Sequence, residues 1–232
     1  MSPSGPYLDA SDTYRSVTLS SEHPILSEIS VISSDARPKA TRKPERASEK
    51  LLGVARRLFY RDGIRAVGVD AIVEAAGVTK PSLYRSFASK DALAAAYLGA
   101  YDRDFWLRFE ATMAEHPGDP RAQILFYFAG VAQRTADPAH RGCGMTNAAV
   151  EFPDGGNPAR GVCEINKHEL RRRLREKAAE MGADDPDVLG DGLFLLFEGA
   201  HISSQLFAEG KPSASIVAVA DRLIAASLPV TD

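Results

Sequence analysis

Apolar positions along this chain recur at the three-to-four-residue spacing of helices, and nowhere with the strict alternation of strands. From about Glu45 to Arg61, Leu51, Ala55, Leu58 and Phe59 share a face, and Asp62-Gly63 supplies a stop. Ile72, Val73, Ala76, Val78, Leu83 and Phe87 are then spaced like the core of two short helices. Ser89 is a good N-cap for a long helix that carries Leu93, Tyr97, Ala100, Tyr101, Phe105, Leu107 and Phe109 to about Glu115. Pro117-Gly-Asp-Pro120 breaks it. The pattern predicts five more helices: Arg121–Ala136, Thr146–Glu151, Ala159–Met181, Asp185–Glu209, and a last one from Lys211 through Ile224 towards Leu228. The expected fold class is all-α, with no internal repeat.

The two short helices carry the most information. The first ends in Ala75-Ala-Gly-Val78, which places Gly77 where the chain must take positive φ. Thr79 is placed to cap the second helix with its hydroxyl, and Pro81 falls in that helix's first turn, where its missing N–H costs nothing. Two helices joined by a short turn containing Gly form a helix-turn-helix, here from Gly68 to Phe87. The outward residues of its second helix, Thr79, Lys80, Ser82, Tyr84 and Arg85, are donors suited to phosphates or base edges. Lys90, at the start of the next helix, adds an ammonium beside free N–H groups, which favours a phosphate. Tyr84 reads either as a phosphate donor or as a structural aromatic, and Leu83 and Phe87 read as core.

Charge sharpens this picture. The chain of 232 residues has a net charge of −3, but Arg37 to Lys90 holds 13 Lys and Arg against 5 Asp and Glu, a net of +8. The remainder holds 15 against 26, a net of −11. A basic module joined to an acidic one points to a polyanionic partner for one end. Residues 1–36 are rich in Ser, Pro, Asp and Gly and read as a disordered leader, or as an artefact of the assigned start codon. The basic arm Arg37–Pro44 reads equally as a minor-groove reader or a solvated linker. The resulting boundaries are 1–40 for leader and arm, 41–96 for a DNA-binding domain and 97–228 for a second helical domain. With no apolar run long enough to span a bilayer, no secretory signal, and only Cys143 and Cys163, the expected location is a reducing cytoplasm.

The stretch Phe59–Leu93 resembles the DNA-binding domain of the tetracycline-repressor (TetR) family. Phe59, Gly63, Ile72-Val-Glu-Ala-Ala-Gly-Val-Thr79, Leu83-Tyr-Arg-Ser-Phe87 and Ser89-Lys-Asp-Ala-Leu93 follow that family's pattern in register. Val73, Gly68 and Pro81 depart from its commonest residues, each conservatively in geometry. Arg141-Gly-Cys-Gly-Met-Thr-Asn-Ala-Ala-Val-Glu-Phe152 resembles a shorter segment of one branch of the family. The resemblance implies a homodimer on a palindromic, double-stranded DNA operator. It also implies a small-molecule pocket among the C-terminal helices, pairing of the last two helices across a two-fold axis, and release of DNA when ligand binds. Repression is the commoner outcome in that family.

On that reading, Asp185–Glu209 and Pro212–Leu228 are the dimerisation candidates, with Gly192, Gly199 and Ser203 permitting close approach. Pocket candidates are Trp106, Phe109, Phe128, Met145 and Phe197, with Phe126, Phe152 and Phe194 as further aromatics. Asn147, Glu198 and His201 are the polar groups beside them, and the effector is expected to be small and hydrophobic. His201 also reads as a hydrogen-bonded core histidine. Cys143, beside Arg141, raises the alternative of a thiol-based redox sensor, and a DNA-binding factor without small-molecule control is another. An enzyme is the reading of a different class. The chain has no Gly-x-Ser-x-Gly, phosphate loop, His-Glu-x-x-His or paired Cys-x-x-Cys, and its histidines, His23, His116, His140, His168 and His201, lack metal spacing. No metal or cofactor is expected, and no membrane partner.

Overall fold

A computed structural model of the protein describes residues 46–229; the leader and the basic arm lie outside the described residues. The described residues form nine α-helices in order: α1 (Ala47–Asp62), α2 (Val69–Ala76), α3 (Lys80–Ser86), α4 (Lys90–Ala114), α5 (Pro120–Ala136), α6 (Gly144–Glu151), α7 (Pro158–Glu180), α8 (Pro186–Leu206) and α9 (Ile216–Ala226). The described residues contain no strand.

One local device starts three of these helices. Asp119-Pro120, Asn157-Pro158 and Asp185-Pro186 each pair an N-cap side chain with a proline at the first helical position. The cap oxygens accept N–H groups of Ala122 at 2.9 Å, Ala159 at 2.8 Å and Val188 at 3.0 Å. Each cap contributes about 1 kcal/mol, and the proline adds a φ already suited to the helix. Ser89 caps α4 as expected, accepting from the Ala92 N–H at 3.0 Å. The last predicted helix is shorter than the pattern suggested. Pro212–Ser215 forms a single 3-10 turn, and the α-helix proper begins at Ile216. Helix α8 stops at Leu206, because Phe207 is extended.

A continuous core holds these elements together. Helix α1 packs on α2, α3 and the start of α4 through Leu51, Ala55, Phe59, Ile72 and Leu83, all buried. The rest of α4 packs on α5 and α7, and α8 lies between α7, α5 and α9. Gly190 is where α8 crosses α7: a Cβ there would sit 2.7 Å from the Arg175 backbone, so any side chain would force the two helices apart. Outside that crossing, Arg171 and Arg175 both grip the Asp191 carboxylate, at 2.6 and 2.8 Å. The two guanidiniums hold this carboxyl well below the usual range.

Candidate functional site

The α2–α3 turn is built by its glycine. Gly77 takes a left-handed conformation, φ 62° and ψ 37°, and the Val78 N–H closes on the Val73 carbonyl at 3.0 Å. This is the six-to-one bond of a Schellman ending, and Val78 packs on the core beside it. Thr79 is the N-cap of α3 by its backbone, but its side chain does not cap. Its hydroxyl lies 3.1 Å from Ser82 Oγ instead, so the expected hydroxyl cap is replaced by a side-chain pair.

Leu83 buries the inner face of α3, while Thr79, Lys80, Tyr84 and Arg85 are exposed. Tyr84 is 52% exposed, so its ring lies largely in solvent. Lys80 Nζ rests 2.7 Å from Asp70 Oδ1 on α2, and Arg85 Nη2 donates to Ser82 Oγ at 2.9 Å. Lys90 Nζ donates to the Arg65 carbonyl at 3.1 Å, tying the start of α4 to the α1–α2 turn. The structure thus gathers Thr79, Lys80, Ser82 and Arg85 into one polar strip and sets Lys90 against the neighbouring turn.

Glu151, the last residue of α6, joins this helical head to the rest of the chain. Its carboxylate accepts the Ile64 N–H at 3.1 Å and the Arg65 N–H at 2.7 Å. Tyr60 on α1 makes a second junction. Its hydroxyl donates to the Gly142 carbonyl at 3.1 Å, accepts the Arg141 N–H at 3.1 Å, and lies 3.4 Å from His140 Nδ1.

Behind Tyr60 lies a cavity of about 180 Å³. Helix α4 lines it with Tyr101, Phe105, Arg108, Phe109 and Thr112, α5 with Tyr127 and Arg134, and α8 with Phe197 and His201; His140 closes it. Tyr127 stacks on Phe197 at 6.0 Å between centroids, and the edge of Phe109 meets Tyr127 at 5.1 Å. His140 Nε2 and His201 Nδ1 are 3.0 Å apart, so one shared proton bridges the two rings. Burial, then the nearby His140, Arg134 and Lys167, push the His201 imidazole down to about 3. Burial, then Arg134 and Lys211, lower His140 as well.

Both rings are therefore neutral near pH 7. Between the ordinary histidine value and about 3, the unfolded chain takes up a proton that folded His201 refuses, so stability falls as pH falls through that window. Urea unfolding at pH 7.5 and 5.5 should show a loss of about 1 kcal/mol that His201→Asn removes. Equal pH dependence in the two proteins would mean that folded His201 accepts the proton.

The structure divides the pocket candidates. Phe109, Phe197 and His201 line the cavity. Phe128 and Met145 are wholly buried in the core. Trp106 stands outside the cavity, donating Nε1–H to Asp102 at 3.0 Å under the Arg173 guanidinium. Asn147 donates to the Arg141 carbonyl at 2.5 Å near the Glu151 junction. Glu198 binds Lys167 Nζ at 2.6 Å and the Thr146 hydroxyl at 2.6 Å. Cys143 is buried, and its nearest cation is Lys167, at 3.3 Å from Sγ, rather than Arg141.

Tyr60, Tyr101, Phe105, Arg108, Thr112, Tyr127, Arg134 and His140 were not foreseen from the sequence as cavity residues. Part of the signal was there: Tyr101, Phe105, Arg108, Phe109 and Thr112 repeat at helical spacing, polar residues set into an apolar stripe.

Helices α8 and α9 leave an open apolar groove of about 560 Å³, lined by Leu195, Leu196, Gly199, Ser203, Val219 and Leu223 among others. Leu195 is 69% exposed, and Ile202, Leu206 and Val219 are also exposed. A Cβ on Gly199 would meet open space, whereas Gly192 is already covered by Leu223 of its own chain. No helix of the described residues is long and apolar enough to cross a membrane.

Residues 51–97 match the family model of bacterial regulatory proteins of the tetR family. A putative TetR transcriptional regulator from Streptomyces avermitilis is 34% identical, with a TM-score of 0.68 over 79% of this chain and 98% of that one. A TetR-family transcriptional regulator from Streptomyces coelicolor is 29% identical, with a TM-score of 0.75 over 79% of this chain and 97% of that one. The transcriptional regulator AcuR of Cereibacter sphaeroides is 29% identical over 178 residues, 73% of this chain and 81% of the relative.

Proposed function

The chain belongs to the TetR family of bacterial regulatory proteins, and from that premise we propose that it is a homodimeric repressor that leaves its operator when a small molecule fills the cavity behind Tyr60. The observation that carries the reading is the pairing of an exposed, donor-rich α3 with a cavity whose wall includes a residue of the same helical head. DNA reading falls to Thr79, Lys80, Ser82, Tyr84 and Arg85 on α3, with Lys90 holding a phosphate at the start of α4. Two such heads about 34–36 Å apart match successive major grooves on one face of DNA and require a palindromic site.

The open apolar groove on α8 and α9 supports the dimer. A second copy of the same two helices covers it with complementary apolar side chains, a self-matching contact of two-fold type. Gly199, with open space over it, lets the partner helix approach.

Release follows from the junctions. A ligand in the cavity presses on His140 and Tyr60, and Tyr60 moves α1, on which α2 and α3 rest. Differential contacts with the two head positions need supply only about 1–3 kcal/mol of coupling. The cavity favours this reading over a DNA-binding factor without small-molecule control.

Leu195→Asp with Ile202→Asp tests the assembly. Light scattering should show the native mass halved, and gel shift on DNA flanking the protein's own gene should show the sequence-specific complex lost. A dimer that persists in the double variant would place the interface elsewhere.

A further inference from the structure

Arg134 is the odd residue of the cavity. It is half-buried at the cavity wall, and among the described residues its guanidinium makes no ion pair or hydrogen bond. Burial lowers its pKa. Gly130, one turn earlier on α5, leaves room for it: a Cβ there would sit 3.2 Å from Arg134 Nη1. A half-buried guanidinium with no partner in the fold keeps its N–H donors free for an acceptor that enters the cavity.

Tyr127 is a second, independent sign. Its hydroxyl is buried and has no hydrogen-bond partner, although the ring lines the same cavity. Two acids on neighbouring segments are already engaged. Glu198 is held by Lys167 and Thr146, and Asp137 accepts the Ala139 N–H at 2.8 Å. The cavity wall itself contains no carboxylate, and its two histidines are neutral. What the cavity lacks is one negative charge that can accept hydrogen bonds.

We propose that this cavity is a receptor for a small organic acid, whose carboxylate is taken by Arg134 and the Tyr127 hydroxyl while Phe109 and Phe197 hold its apolar body. The proposal rests on the reading of the chain as an effector-controlled regulator, and it replaces a purely hydrophobic effector with an anionic one. A carboxylate matches the planar fork of arginine and accepts two parallel N–H bonds. A cation would meet Arg134 and Arg108, and a neutral hydrocarbon would leave both orphan donors unsatisfied. Size sets a further bound. The volume of about 180 Å³ lies below the usual range for drug-sized ligands. The Phe105, Phe109 and Phe197 rings on the wall suit an aromatic body, such as an aromatic monocarboxylate.

Calorimetric titration of the full-length protein with benzoate and phenylacetate, against benzamide, benzylamine and inorganic phosphate, tests the assignment. At least one acid should bind, and its amide about tenfold or more weaker. Arg134→Gln should lower acid affinity about 30-fold or more while leaving the melting temperature of the unliganded protein nearly unchanged, since the guanidinium makes no ion pair or hydrogen bond within the fold. Tyr127→Phe should weaken the acid about fivefold with the fold intact.

The proposal falls if none of the acids binds, if benzamide binds as tightly as benzoate, or if Arg134→Gln keeps full affinity. Fluorescence anisotropy on operator DNA is a separate arm. An acid that binds through Arg134 without weakening the DNA complex upholds the receptor and overturns the effector-controlled reading.

Discussion

Lys80→Ala combined with Arg85→Ala should lower operator affinity by at least about 100-fold at physiological salt and flatten its salt dependence. Both side chains are exposed on α3, where no other element covers them. Lys80 is engaged only by Asp70, at 2.7 Å, with side chains 53% and 79% exposed. Such a pair is weak in water, so a phosphate displaces Asp70 readily. Arg85 is held forward by Ser82 Oγ at 2.9 Å, which reduces the freedom it must surrender on binding. A dimer loses four cations in the double variant. If all four meet phosphates, the slope of log affinity against log salt shrinks by about 3.5. The fold should be unaffected, because the packing of α3 comes from Leu83. Filter binding or anisotropy from 50 to 300 mM salt (about the range where phosphate contacts dominate) measures both quantities. An unchanged slope would remove α3 from the interface.

The second large effect is expected at Glu151. Its carboxylate holds the Ile64 and Arg65 N–H groups, the one carboxylate-to-backbone clasp between α6 and the α1–α2 turn among the described residues. Glu151→Ala leaves both donors without that acceptor, and hydrogen bonds to a charged group count for more than neutral ones. The expected cost is about 2–3 kcal/mol in urea unfolding, with Glu151→Gln intermediate because it keeps one acceptor oxygen. A second readout separates the clasp from mere stability. With the head loosened from α6, a ligand that fills the cavity should shift operator affinity much less than in the native protein. Full ligand response in Glu151→Ala would show that the signal runs through Tyr60 alone.

The helix-turn-helix was legible in the sequence because it is local. Gly77, Pro81 and Ser89 each act on the backbone within a turn of themselves, and Leu83 and Phe87 carry the period of their own helix. The order of the helices was legible for the same reason, with Asp185-Pro186 the one Asx-Pro start among the three that the pattern marked. The 3-10 turn at Pro212–Ser215 was not, since the apolar spacing runs on across it.

The cavity was legible only in fragments. Phe109, Phe197 and His201 stood out as large or polar side chains on apolar stripes. Asn147 and Glu198 did too, yet the fold gives each a nearby partner outside the cavity. Arg134 is the reverse case. On the sequence it is one charge at the end of a helix, where a cation suits the dipole. Its meaning comes from the absence of an acid across the cavity, which depends on how five separate segments meet. Tyr60 and His140 lie 80 residues apart and come together only through the fold.

The distribution of the cavity wall has a consequence for how such a protein diversifies. The wall is drawn from α4, α5, α8 and the loop that carries His140, while the reading strip is confined to α3. Tyr60 is the only cavity residue on the three helices of the head. On the proposed function, a duplicated gene can exchange Arg134, Tyr127 or Phe109 and answer a new chemical without relearning its DNA address. It can equally change Lys80 or Arg85 and keep its old signal. On that reading the two vocabularies mutate independently, provided Tyr60 stays to translate between them.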